Sequence, residues 1–386
     1  MSDVSLSKSE KIVRPGGLLA ILGGGQLGRM TAMAARTMGY RVRVMDPEPA
    51  CPTSFVADET IVGRWDDVDA ARRLAAGADV VTLEIEQIGV DALREVERLA
   101  PLRPGVEPIR IIQDKTLQKT WLAENGFPVG PFRVVRSEAE LREAVAALGG
   151  DVFVKTGRGG YDGRGQVRIG SADGAGLGET WGELGERPAV VEQALDLACE
   201  ISVMAARNPS GEVRAFPAAR NHHEKQILAW SVLPAGVSAE LEARAEALAA
   251  NLVAKLGMVG LLCAEIFVTR SGELLINELA PRPHNSYHQS ERGCATSQFE
   301  QLVRAVCNLP LGSTELITPA AIVNLLGDVW LNGEPNFPAA LEVPGVRLHL
   351  YEKHTPRAGR KMGHLSSVGA TAEEALERVL EARRRL

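Results

Sequence analysis

The chain has little of what builds disulfide scaffolds, membrane spans or nucleic-acid surfaces. Only five of its 386 residues are cysteine (Cys51, Cys199, Cys263, Cys294, Cys307), far apart and without a CxxC pair. That excludes a disulfide framework and suits buried thiols in a reducing, cytoplasmic compartment. No stretch reaches the ~18 apolar residues of a membrane helix. Residues 1–16 mix Ser, Lys, Asp and Glu without the apolar run of a signal peptide, and read as a disordered tail. Charges of both signs are interspersed to a net −6. With no basic stripe, neither a nucleic-acid backbone nor an anionic bilayer is an expected partner. A P-loop, G-x-x-x-x-G-K-[ST] opening a helix, is also missing, and no internal repeat is found.

What is present is a globular composition, 45% hydrophobic over a length that exceeds one growing core, so two or three domains are expected. From Gly17, short apolar runs alternate with helical periods: Leu18 to Leu22, a helix from about Gln26 to Met38, Arg41 to Met45, and Asp79 to Leu83. This is the βαβ pattern of a parallel sheet. Three prolines between Pro101 and Pro108 precede a boundary near Ile112. From Phe132 the pattern becomes strand-rich α+β, with a helix from about Ala239 to Leu256 capped by Ser238 and stopped by Gly257. A second break falls at Pro310 to Pro319, beyond which short strands (Ala321 to Leu325, Val346 to Tyr351) precede a Glu/Arg-rich helix.

Gly23, Gly25 and Gly28 form G-x-G-x-x-G after a strand and before a helix, and Asp46 ends the next strand. The context matches a dinucleotide-binding fingerprint, and an NAD-linked oxidoreductase is one reading. The physics is less selective, because free amides and the positive end of a helix dipole hold any phosphate. A tight turn with no ligand is the bland alternative.

A second glycine cluster lies between strands. Gly157, Gly159, Gly160, Gly163 and Gly165 separate a strand Asp151 to Lys155 from a strand Gln166 to Ile169. Such a loop can fold its amides over a triphosphate as a lid, with Lys155 at its base as a point charge. A flexible hairpin is the alternative, made less attractive by the embedded Tyr161, Asp162 and Arg164.

The most informative segment is Gly260 to Leu279, two apolar strands joined at Ser271-Gly272. A two-residue loop pairs Arg270 with Glu273 and, five pairs outward, Glu265 with Glu278. Their Cβ atoms would lie ~5 Å apart, destabilising for two like charges unless something compensates. A divalent cation that also binds phosphates would do so, with Asn277 adding an amide oxygen. A register-shifting bulge, or separate surface pairs with Arg, would remove the inference.

Lys155, the loop Gly159 to Gln166, Glu192-Gln193-Ala194-Leu195, Glu200 and the Glu265/Asn277-Glu278 pair resemble ATP-grasp enzymes in order and spacing. The strings GGGQLGRM from Gly23, GGYDGRGQ from Gly159, NELAPRPHNS from Asn277 and GRKMGH from Gly359 are similar, over about residues 17 to 375, to the N5-carboxyaminoimidazole ribonucleotide synthetases. The resemblance implies a mixed α/β and α+β chain with an ATP-grasp fold. Its parts would be a Rossmann-like parallel-sheet domain (17–112), a central ATP-grasp domain (113–312) and a small β-rich C-terminal domain (313–386). It implies an ATP-dependent carbon-nitrogen ligase that carboxylates aminoimidazole ribonucleotide with bicarbonate, using Mg²⁺ or Mn²⁺ and commonly dimeric.

By the same resemblance, Arg110, Lys155, Gly160, Tyr161, Gly163, Arg164, Gly165 and Gln166 would surround the ATP phosphates. Glu192, Gln193, Ala194 and Leu195 would read adenine, Glu200 the ribose, and His223, Asn277 and Glu278 would lie near the nucleotide. Glu265 and Glu278 would hold the metal. Gly25, Gln26, Leu27, Lys353 and Arg360 would take the substrate phosphate, Glu84 its amine. Arg282, His284 and Asn285 would line the bicarbonate pocket, closed by Tyr161 and Asp162, with Asp162 handling protons. Gln87, Gln226, Glu352 and Tyr287 depart from the family's usual Asn, Gly, Gly and small residue. A formate-dependent glycinamide ribonucleotide transformylase and a catalytically dead nucleotide-binding module are the remaining alternatives.

Overall fold

The computed structural model describes residues 11–159, 165–170, 176–331 and 333–386. Its first sheet contains β1 (Leu18–Leu22), β2 (Arg41–Asp46), β3 (Glu59–Val62) and β4 (Val80–Leu83), all parallel in the order β3-β2-β1-β4. Every residue of β1 is buried, as a strand covered on both faces requires. Leu19 and Ile21 pack with Ala32 and Ala35 of the helix Gln26–Thr37 and with Leu302 and Val306. Ala20 and Leu22 face the opposite layer, formed by the helices Val68–Ala75 and Val90–Leu99. The turn after β1 therefore opens at the C-terminal edge of the sheet, where ligands of open α/β folds bind.

The described part of the expected 1–16 tail is packed against the core at Val13. Residues 1–10 lie outside the described residues, but Val13 is buried, its N–H donates to Cys307 O at 2.9 Å, and its carbonyl accepts from the Tyr40 hydroxyl at 2.8 Å. An apolar side chain with both backbone groups satisfied pins this stretch to the core.

A small antiparallel sheet follows: β5 (Phe132–Val135), β6 (Asp151–Thr156), β7 (Gln166–Gly170) and β8 (Ala189–Gln193), ordered β5-β8-β6-β7. The third sheet has nine strands. These are β9 (Leu197–Arg207), β10 (Val213–Ala215), β11 (Ala219–Glu224), β12 (Ile227–Leu233), β13 (Gly260–Thr269), β14 (Leu274–Ala280), β15 (Ala320–Leu326), β16 (Arg347–Leu350) and β17 (Lys361–Val368). The main order is β14-β13-β9-β11-β12-β15-β17-β16, with β10 beside β9. The C-terminal strands thus extend the central sheet through the β12–β15 pair.

The helix Ala239–Lys255 covers this sheet, burying Ala245, Ala249, Leu252 and Val253 against residues of β9 and β13. The Ser238 hydroxyl accepts from Leu241 N at 3.2 Å, and Gly257 takes φ 63° just past the other end, both as its sequence indicates. Among the described residues no helix is long and apolar enough to cross a membrane.

Candidate active site

A cavity of about 750 Å³ lies where the three sheets meet. Its walls carry Gln26 and Leu27 from the first glycine turn, Glu84 and Glu86 after β4, Lys155, Gly165 and Gln166 from the β6–β7 hairpin, and Glu265 and Glu278 from β13 and β14. Arg282, His284, Asn285, Lys353 and Arg360 complete it. Thirteen of the expected residues are therefore brought together on its walls.

Glu265 and Glu278 are direct cross-strand partners. They reach that position by a different route from the expected two-residue loop. The turn is one residue longer, with Thr269 N donating to Glu273 O at 3.0 Å. Next to the turn, Val268 pairs with Leu274 and Ile266 with Ile276, and a register shift between Glu265 and Ile266 leaves Asn277 as an extra residue. The bulge cancels the longer turn, and it lets Asn277 and Glu278 both address the cavity's cations. Asn277 Oδ1 accepts from Lys155 Nζ at 3.0 Å, and Glu278 pairs with Lys115.

Charges are paired closely around this point. Glu192 bridges two buried lysines, with Oε2 at 2.6 Å from Lys155 Nζ and Oε1 at 3.1 Å from Lys119 Nζ. Burial alone would raise the Glu192 carboxyl, but Lys155 and then Lys119 hold it at about 2. Lys119 is lowered because its burial outweighs the pull of Glu192. Lys115 goes the other way, its burial offset by Glu278 and, further off, Glu192 and Glu265. Glu265 Oε1 lies 3.2 Å from His284 Nε2. Against burial, that hydrogen bond and charge keep Glu265 at about 2, while Cys263 and Glu265 keep His284 up at about 10. Across the same face, His223 Nδ1 lies 2.8 Å from Glu200 Oε2. Two carboxylates and an amide oxygen, hard donors beside three lysines, form a set that fits a phosphate-bound divalent cation.

The chain passes from β8 of the small sheet to β9 of the large one through Ala194, Leu195 and Asp196. Gln193 N donates to Pro131 O at 3.0 Å and Ala194 N to Asp151 O at 2.9 Å, so this connection is anchored at both residues. Leu195 packs over Gly130, where a Cβ would come within 3.1 Å of it.

The first glycine turn differs from expectation in one respect. The Glu84 carboxylate accepts from Gly25 N at 2.7 Å and Gly28 N at 3.1 Å, occupying two amides of the phosphate turn itself. Only glycine permits this approach, since a Cβ on Gly25 would lie 2.7 Å from Glu84 Oε1. Burial raises the Glu84 carboxyl against those two hydrogen bonds. Gln26 and Leu27 are the turn residues that line the cavity. Asp46, the ribose acceptor in a dinucleotide reading, is buried, accepting from Gly24 N at 2.8 Å and Glu48 N at 2.9 Å. Its carboxylate serves the turn, which removes the main support for NAD.

Arg110 is a correction. It pairs with Glu107 at 2.6 Å and lines a separate cavity of about 530 Å³ with Leu256 and Gly257. A three-residue spacing on one helix makes that pair local and leaves the arginine facing away from the nucleotide cleft. Lys115 stands in the cleft instead, and with Lys119 and Glu86 it was missed. The signal for the lysines was their four-residue spacing after the Asp114 cap, which puts both on one helix face. Glu86 grips Arg282 with two bonds, 2.6 and 3.0 Å, holding the guanidinium in place and raised in pKa against its burial. Gly160, Tyr161, Asp162, Gly163 and Arg164 lie outside the described residues.

Three family models cover the chain in the same order. Residues 18–113 match a ribonucleotide synthetase preATP-grasp domain, residues 120–299 an ATP-grasp domain, and residues 320–378 a phosphoribosylaminoimidazole carboxylase C-terminal domain. An N5-carboxyaminoimidazole ribonucleotide synthase of Bacillus subtilis is 40% identical over 96% of both chains. The chain belongs to this family. A second synthase, from Brucella melitensis, is 42% identical over 92% of this chain and 97% of its own. Among solved structures, an ADP complex of an N5-carboxyaminoimidazole ribonucleotide synthetase superposes with TM-score 0.90 at 40% identity, covering 96% of this chain and 97% of that one. The Aspergillus clavatus synthase, in complex with ADP and 5-aminoimidazole ribonucleotide, gives 0.87 at 30% identity over 96% and 99%. The synthase family's ATP-grasp architecture accounts for all three sheets and for the cleft between them.

Proposed function

We propose that this chain carboxylates the exocyclic amine of 5-aminoimidazole ribonucleotide with bicarbonate, cleaving ATP to ADP and phosphate in purine biosynthesis. The observation that carries the reading is the Glu265–Glu278 pair set beside Lys115 and Lys155, in one cavity with the glycine turn, Lys353 and Arg360. One end suits a nucleoside triphosphate, the other a monophosphate.

Glu265 and Glu278, with Asn277 Oδ1, would hold Mg²⁺ or Mn²⁺, which when bound neutralises and orients phosphate oxygens. Lys115 and Lys155 supply point charges to the same phosphates. A bicarbonate oxygen attacks the γ-phosphorus, the bond to the β-phosphate oxygen breaks, and ADP leaves. The amine nitrogen then bonds to the carboxyphosphate carbon, phosphate departs, and the amine proton passes to a base. Arg282, His284 and Asn285 bind bicarbonate, Arg282 being kept in orientation by Glu86. Asp162 handles the proton, and Tyr161 and Asp162, with the glycine loop, exclude water that would hydrolyse carboxyphosphate. The amides of Gln26 and Leu27, with Lys353 and Arg360, take the ribonucleotide phosphate. Glu84 has two roles, capping the turn and accepting from the substrate amine. Glu200 and His223 read the ribose side of ATP, and the hinge 192–195 its adenine. A cytoplasmic homodimer completes the reading.

A coupled assay tests it: ADP release should require bicarbonate and aminoimidazole ribonucleotide together. Release driven by formate and glycinamide ribonucleotide instead, or by neither pair, would reject it.

A further inference from the structure

Three donor side chains outside the cleft converge where the C-terminal hairpin meets the short helix Ser290–Gly293. Ligand atoms of Glu291, His349 and His364 lie within 4.8 Å of one another. His349 and His364 are direct partners across β16 and β17, with rings stacked at 4.3 Å and 7°. His364 is fully buried; its Nδ1 is 2.7 Å from the Tyr351 hydroxyl, while its Nε2 is buried with no hydrogen-bond partner. His349 Nδ1 lies 3.9 Å from Glu291 Oε2, and both side chains are about one-third exposed, 29% and 32%.

We propose that Glu291, His349 and His364 form a binding site for a divalent transition-metal cation of the Zn²⁺ class, separate from the Mg²⁺ of the nucleotide cleft. A buried imidazole nitrogen without a partner costs free energy unless something satisfies it. Two neutral imidazoles and one carboxylate are the donor set that borderline-soft cations prefer and Mg²⁺ does not. With Nδ1–H donating to the Tyr351 hydroxyl, the His364 Nε2 lone pair is the one left for the metal, and Tyr351 is the outer contact that holds the ring. Tetrahedral bonds of ~2.0–2.1 Å put ligand atoms about 3.3 Å apart, so the cluster closes by a rotation of the partly exposed His349 out of its stack.

The location gives the site a consequence. The connection between β16 and β17 carries Lys353 and Arg360, and His364 stacks at 4.6 Å on His288, whose Nε2 is 2.7 Å from Asn285 Oδ1. A cation here ties the substrate-phosphate loop to the helix beside the bicarbonate pocket.

The test uses the full chain without an affinity tag, stripped with chelator and returned to buffer containing Mg²⁺. Zn²⁺ titrated against a chromophoric chelator should bind at one equivalent per chain. His349→Ala and Glu291→Gln should each lose that equivalent, and Tyr351→Phe should weaken it by about 10–100-fold. Circular dichroism of each metal-free variant checks its fold, and if one fails the other decides. Less than one equivalent in the unsubstituted chain, or an equivalent retained at unchanged affinity by a folded His349→Ala or Glu291→Gln variant, would overturn the proposal.

Discussion

Glu265 and Glu278 face each other across β13 and β14 because two irregularities cancel, a turn one residue longer than the tightest hairpin and a one-residue bulge at Asn277. Without the bulge the pairing would slip and Glu278 would turn to the other face of the sheet. With it, Asn277 and Glu278 both reach the lysines of the cleft. Glu278→Gln keeps the size and one acceptor oxygen but removes the charge. ATP turnover is expected to fall by at least about 10²–10³-fold, in line with loss of a preorganised electrostatic contact. The melting temperature should change little, since Glu278 is 41% exposed. Full turnover in this variant would contradict the metal assignment.

Lys115 and Arg110 make a paired prediction. Lys115→Ala should lower kcat/KM for ATP by about 10²–10³-fold, because it removes a point charge from the cleft. Arg110→Ala should leave the KM for ATP unchanged, because that side chain pairs with Glu107 and lines another cavity. Steady-state kinetics on both variants decide between them, and the reverse ranking would return Arg110 to the site.

The contrast shows what was legible in the sequence. The βαβ pattern and the glycine turn rest on periodicities that the backbone enforces, and both survive into the structure; the Glu265–Glu278 pairing holds as well, but only because the bulge at Asn277 offsets a turn longer than the two-residue loop it was read from. Lys115 and Lys119 offer only their four-residue spacing, and two lysines on one helix face look the same whether they face solvent or a carboxylate. Only the meeting of the helix Lys115–Glu124 with β8 and β14 makes them functional. The Glu84 contact was hidden for a similar reason. A strand-end carboxylate can face a substrate or the amides of Gly25 and Gly28, and packing across β1 and β4 decides which.

Glu352 and Gln226 stand at φ 54° and 66°, in the left-handed backbone region that favours glycine. Glu352 offsets that strain with two 3.0 Å bonds to Arg29. Glu352→Ala loses the pair and keeps the strain, whereas Glu352→Gly loses the pair and relieves it. Thermal or urea unfolding should therefore place the Gly variant above the Ala variant by about 1 kcal/mol. Equal stabilities would mean that the loop relaxes its backbone once Arg29 is released.

Glu192 supplies the pH test. Its folded carboxyl titrates at about 2, below the ordinary 4.5, because Lys155 and Lys119 outweigh its burial. A depressed acid contributes stability that is fully present above the unfolded pKa and disappears as pH falls through the folded one. Glu192→Gln leaves two buried lysines facing a neutral amide, and at pH 7 should cost about 3–5 kcal/mol. As pH falls below about 4.5 the unfolded protein takes up a proton that folded Glu192 refuses, so the native protein loses this advantage and the variant does not. Urea midpoints for the two proteins should therefore converge between about pH 4.5 and 2. A gap that stays constant over that range would mean that Glu192 stabilises the cleft by its shape and hydrogen bonds, without the charge.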